Sequence, residues 1–207
     1  MLIACCGRAS GFIAALDCRD GKKISCVVPQ HFAQAFSSPL VQQMVGREQM
    51  IIPACSVVTG YDPKDGTALW TSNGPSTEFI ATPVFSDKAG LLLCASSWPA
   101  RILVAIKPDG NGNVTKQKVV WQTKEGASYV PSPIAVGDYF LTTSAKKELS
   151  CYEAISGQIA WKQENVYSAT NLAKRVPLRS HRINYLLPCE ITLPLKNAAA
   201  IRSLSNA

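Results

Sequence analysis

Gly60-Tyr61-Asp62-Pro63-Lys64-Asp65-Gly66-Thr67-Ala68-Leu69-Trp70 decides the fold. Val57, Val58 and Tyr61 form a short apolar run, Asp65-Gly66 a polar turn, and the residues up to Trp70 a second run. An Asp-Gly pair between apolar runs predicts a β-hairpin with a type I′ turn, which needs positive φ at both central residues. One hairpin says little, but this one recurs.

The first copy is Ile13 to Ser25 and the second Val58 to Trp70. The third runs from Leu103 through Pro108-Asp109-Gly110, with a turn enlarged by Asn111 to Lys116, to Trp121. The fourth is Leu149 to Trp161. The turn glycines Gly21, Gly66, Gly112 and Gly157 are 45, 46 and 45 residues apart. Three Ser/Thr-Pro strands keep the same beat, beginning at Pro39, Pro83 and Pro133, where a strand's first residue forfeits no ladder hydrogen bond. One more strand lies between the two markers in each period. Four short strands in about 45 residues is the content of one β-propeller blade.

The expected architecture is therefore all-β: a partial β-propeller of about four four-stranded blades, an incomplete ring. Residues 1–30 are assigned to a partial blade lacking its first strand, 31–71, 79–123 and 129–164 to whole blades, and Asn165 to Thr170 to the start of another. No stretch sustains helical periodicity. Residues 171–207 have no glycine, no tryptophan and no alternation, and read as an irregular basic tail, disordered or frameshifted.

Charge follows that boundary. The tail holds Lys174, Arg175, Arg179, Arg182, Lys196 and Arg202 against Glu190, so it carries +5 of the net +7. The repeats keep only +2, which argues against a nucleic-acid face. No run of 18 apolar residues predicts a membrane span. Leu2-Ile3-Ala4-Cys5 resembles a lipoprotein box but lacks the segments of a signal peptide, and is read as a blade strand.

The chemistry-bearing residues read as structural. Trp70, Trp121 and Trp161 recur at one position, as packing between neighbouring blades would require. Asp17, Asp62 and Glu153 precede the turns at equivalent places, where a carboxylate bonds nearby backbone N–H groups. The eight cysteines form no CxxC pair, His31 and His181 are isolated, and most cysteines are expected as small buried strand residues. Cys5-Cys6 would suit only a strained vicinal disulfide. No catalytic, cofactor-binding or metal-binding residue is nominated. Trp98 falls outside the register and is expected in a turn, partly exposed, as a surface contact.

The hairpins Gly60 to Trp70 and Tyr152 to Trp161, with Leu16 to Lys22 as a weaker third, resemble the pyrroloquinoline-quinone (PQQ) repeat, and the resemblance covers residues 1–170. It implies a PQQ-like β-propeller. One branch of that family, the non-catalytic propeller lipoprotein of the outer-membrane β-barrel assembly machinery, implies a scaffold for protein partners in the periplasm or cell envelope. The other, the quinoprotein alcohol and sugar dehydrogenases, implies PQQ and calcium, yet none of its site residues can be matched here. Eight blades need about 360 residues. The expectation is a non-enzymatic fragment of a larger propeller, without cofactor, with self-association through open blade faces.

Overall fold

The computed structural model describes residues 2–6, 11–28, 35–74, 76–96, 98–144 and 146–164. The chain divides into two units, Met1–Ser168 and Ala169–Ala207, and the second lies outside the described residues. So do the expected tail 171–207, the start of a blade at 165–170, His31, His181, Cys189 and the side chains of Cys5 and Cys6.

The described chain is four sheets in sequence order, each built on an antiparallel meander, with one short parallel strand added at the edge of the second. The first contains β1 (Leu2–Cys6), β2 (Phe12–Leu16) and β3 (Lys23–Val27). The second contains β4 (Leu40–Met44), β5 (Arg47–Ala54), β6 (Val57–Tyr61) and β7 (Ala68–Asn73). The third contains β8 (Val84–Ser86), β9 (Leu91–Ser96) and β10 (Ile102–Ile106). Between β10 and its partner lie β11 (Gly112–Asn113) and one helical turn, α1 (Thr115–Lys118), before β12 (Val119–Thr123) completes the third sheet. The fourth contains β13 (Ile134–Val136), β14 (Tyr139–Thr143), β15 (Leu149–Glu153) and β16 (Ile159–Gln163). Each is a meander, and the whole is a partial β-propeller. Pro39, Pro83 and Pro133 stand one residue before β4, β8 and β13, so their missing N–H groups lie outside the ladders.

The core is divided into layers between blades. Ile13 of the first blade packs with Met50, Ile52 and Tyr61 of the second. Ile51, Val58 and Trp70 of the second pack with Leu92, Val104 and Ile106 of the third. Leu93, Leu103 and Ala105 of the third pack with Phe140 and Tyr152 of the fourth. Blade three is thus covered on both faces, and every described residue of β9 is buried. Blade four alternates along β14, with Phe140 and Thr142 buried and the residues between them half-exposed.

Two details differ from the sequence reading. Among the described residues of the Asp65-Gly66 turn, Gly66 alone has positive φ, at +76°, so the turn is not type I′. The loop is longer: the Gly66 N–H donates to Asp62 C=O and the Asp62 N–H to Thr67 C=O, each at 2.8 Å, with a bulge at Gly60/Tyr61. Only the last loop residue must then turn left-handed. A two-residue loop with positive φ at both positions occurs instead at Val45-Gly46, 48° and 83°, joining β4 to β5. The second difference is at Gly112. It keeps φ at +63°, but it does not close a hairpin; it pairs with Trp70 of the preceding blade. Its place in the 45-residue series is a coincidence of spacing, because the insertion displaced the turn.

Candidate interaction surfaces

The repeated tryptophans are placed by register. In blade three, Val84 pairs with Leu93, Leu93 with Ala105, and Ala105 with Trp121. In blade two the same row is Leu40, Ile51, Gly60 and Trp70. In blade four it is Ile134, Leu141, Cys151 and Trp161. Paired residues share a face. Blades two and three therefore show their successors two large apolar residues, one small residue and a tryptophan, and blade four carries the same row. The small residue makes room for the ring, since a Cβ on Gly60 would lie 2.3 Å from Trp70 Nε1.

Trp121 shows what the row meets. Its ring stacks on Tyr152 of blade four at 6.0 Å and 19°, and its Nε1 donates to Ala154 C=O at 2.8 Å. The turn glycine Gly157 lies under it, where a Cβ would come within 2.5 Å of the ring. Trp70 is fully buried, and its Nε1 donates to Gln49 Oε1 at 2.7 Å. Gln49 in turn donates Nε2 to Pro108 C=O of blade three at 2.7 Å and to Met44 C=O at 3.1 Å. A buried amide so fully paired joins two blades at little desolvation cost. The sequence carried one signal for it, a glutamine immediately before the apolar run Met50-Ile51-Ile52. Trp161, in the outward row of blade four, is half-exposed. In blade one Ser25 takes the tryptophan's place, and Val27 fills the role instead, since a Cβ on Gly66 would lie 2.6 Å from its Cγ2.

The carboxylates serve the turns. Asp17 Oδ1 accepts the Arg19 N–H and Asp62 Oδ1 the Lys64 N–H, both at 2.9 Å. Glu153 Oε2 accepts the Ser156 hydroxyl at 3.0 Å. A second set closes each loop: Asp20, Asp65 and Ser156 accept the N–H groups of Lys22, Thr67 and Gln158. The Arg19 side chain, then its backbone N–H, holds Asp17 down to about 2. The third hairpin has no such pair; there Asp109 binds Lys107 at 3.0 Å and Lys118 at 2.7 Å.

The cysteines correct an expectation. Cys94 and Cys151 are buried, but Cys18 and Cys26 are exposed, because Cys18 lies in a turn and Cys26 points away from the core layer. Burial raises the Cys94 thiol well above its usual range and pushes Cys151 up to about 11. A groove of 390 Å³ runs between Asn73-Gly74 and Val119 to Gln122, and its lining has no titratable side chain. Among the described residues no three His, Cys, Asp or Glu side chains converge. No helix among them is long and apolar enough to cross a membrane.

Trp98 sits in the β9–β10 turn and is 59 % exposed. Its carbonyl accepts the N–H groups of Thr77 and Glu78 at 2.9 and 3.0 Å and the Thr77 hydroxyl at 2.9 Å. The Ser76 hydroxyl also donates to it. The turn is thereby tied to the segment that links blades two and three.

With blades, rows and turns in place, comparison with known proteins is direct. A family profile described as outer membrane protein assembly factor BamB matches residues 5–163. The chain belongs to this family. Among solved structures, the crystal structure of BamB from Moraxella catarrhalis is similar, with a TM-score of 0.57 at 14 % identity, over 79 % of this chain and 48 % of that one. The dihydro-heme d1 dehydrogenase NirN in complex with DHE is similar at a TM-score of 0.55 and 12 % identity, over 76 % of this chain and 33 % of that one. This chain thus spans about half of the BamB chain and a third of NirN. At such identities the likeness is one of fold. No curated protein matches the chain.

Proposed function

We propose that this BamB-family propeller is a non-enzymatic scaffold that holds protein partners in the bacterial cell envelope. The observation that carries this reading is how the repeated polar groups are used. Asp17, Asp62 and Glu153 sit one per blade, and each gives its oxygens to its own turn. A calcium ion takes six to eight oxygens converging on one point. These three carboxylates do not converge on such a point, which supports a role in the turns, and no step through PQQ or calcium is assigned. The family match supports the envelope location, and the balanced charge of residues 1–170 supports a protein rather than a nucleic-acid partner. Self-association through outward blade faces belongs to the same reading.

A second reading, part of a quinoprotein dehydrogenase, is favoured by the shared fold with NirN, an enzyme. Equilibrium dialysis with PQQ and calcium, followed by a dye-linked assay with primary alcohols and sugars, separates the two. The scaffold reading expects no saturable quinone binding and no dye reduction. Stoichiometric quinone binding with turnover would overturn it.

A further inference from the structure

Trp98 is held out of the core by a loop built to hold it there. Four donors from Ser76, Thr77 and Glu78 converge on its carbonyl, and none of these bonds involves its ring. From below, the buried Ser96 hydroxyl donates to Ala100 C=O at 2.9 Å and accepts the Ile102 N–H at 3.2 Å. Ser96 pairs with Ile102, so Trp98 and Arg101 both lie in the short turn between these two residues.

Arg101 reaches the next interblade segment. Its guanidinium lies 5.4 Å from the centre of the Tyr129 ring. Tyr129 and Val130 are 37 % and 50 % exposed, and their loop is closed by the Ser128 hydroxyl donating to Pro131 C=O at 2.5 Å. Single exposed apolar residues are ordinary on a protein surface. Here Trp98 and Arg101 lie on one turn, and Arg101 reaches Tyr129, next to Val130 on the following linker, so the two loops together offer one ledge. Rigid aromatics with arginine are the composition of interface hot spots, because they bring large contact area and lose little side-chain freedom on binding.

The charge at this end selects the partner. Arg101, Lys124, Lys146 and Lys147 are exposed on the same set of turns and linkers. Of the carboxylates there, Glu125 is paired with Lys162, Glu148 accepts the Ser144 hydroxyl, and the half-buried Glu78 lies beside Trp98, which leaves the four cations in excess. A cation over an aromatic ring keeps its outer edge available for a carboxylate.

We infer that this ledge docks an extended segment of a protein partner, one that lays an apolar side chain on Trp98 and a carboxylate on Arg101. The inference rests on the scaffold reading and gives it a place and a ligand chemistry.

The test pans a phage library of random 12-residue peptides on the purified chain and measures the enriched peptides by fluorescence anisotropy. Sequences pairing Asp or Glu with Leu, Ile or Phe should be enriched. Trp98→Ala and Arg101→Glu should each weaken them about tenfold or more. Trp98→Ala should keep the wild-type thermal midpoint, since the donors address its backbone carbonyl and not its ring, and Arg101→Glu should lower it only slightly, through loss of the exposed Tyr129 contact. Arg101→Glu should in turn favour Lys-bearing peptides. Failure to enrich any sequence, enrichment of basic ones, or equal binding to Trp98→Ala overturns the ledge. So does Trp98-dependent partition onto phosphatidylglycerol vesicles with no peptide bound, which would make it a membrane contact. Quinone turnover with peptide binding intact would sink the scaffold reading and leave the ledge standing. Absence of both would sink the ledge alone.

Discussion

Trp121 and Gly157 are two halves of one contact, written in neighbouring blades. The ring can lie flat on the next hairpin only because the turn residue has no Cβ, and that residue also holds φ at +69°. Gly21 occupies the same turn position at φ +72°, with nothing within 4 Å of a would-be Cβ. Alanine at either site pays about 1–2 kcal/mol for the left-handed backbone. Only Gly157→Ala adds an overpacking cost of about 1–3 kcal/mol against the ring. Urea midpoints should therefore fall further for Gly157→Ala than for Gly21→Ala, and equal losses would mean that Trp121 gives way freely. At this scale the sequence was legible where a residue type repeats, as with the tryptophans and the turn acids. It was not legible at Gly60, Ala105 and Cys151, because the row needs a small residue there and three different residues supply it. Gln49 occurs once, so repetition could not mark it.

The insertion in the third hairpin is the element that the strand pattern concealed. Residues Asn111 to Lys116 read as a loop, yet Gly112–Asn113 pairs in parallel with Trp70 and Thr71, extending blade two to five strands. A two-residue strand has no alternation to detect, and its partner lies in another blade. The contact is reinforced where the Val114 N–H donates to Thr71 C=O at 2.8 Å and the Asn73 N–H donates to Thr115 Oγ1 at 2.7 Å. Asn113 Nδ2 also donates to Asn73 Oδ1, at 3.2 Å. The insertion covers the outer edge of β7, which would otherwise offer unpaired groups to another strand. Thr115→Val removes the acceptor for Asn73 and keeps the shape. Its expected cost is about 0.5–1.5 kcal/mol, with faster amide exchange at Asn73 and little change in blade four. Unchanged protection at Asn73 would show that the clip does not hold the edge.

The number and order of blades were legible in the sequence because a propeller repeats both its strands and its interfaces; which faces are covered was not, because coverage depends on a neighbour. Val84, Leu93, Ala105 and Trp121 form the row that blade four covers. Ile134, Leu141, Cys151 and Trp161 form the same row one blade later, and Ile134 is 48 % exposed there. A surface that repeats an internal interface is complementary in chemistry to the opposite face of a blade, which a second copy of the chain would supply. Such head-to-tail contact is heterologous and need not stop at a dimer. On size exclusion the chain should therefore elute above its 22.3 kDa monomer mass, with an apparent mass that falls on dilution. Apolar contact predicts that ammonium sulfate strengthens the association and that lowering the ionic strength does not. Trp161→Glu and, independently, the more exposed Ile134→Glu should each shift the chain toward monomer while the β-sheet circular dichroism stays the same. The second variant matters because Trp161 is half-buried and its replacement also tests blade four itself. A wild-type chain that remains monomeric at every concentration would show that the row meets no second copy.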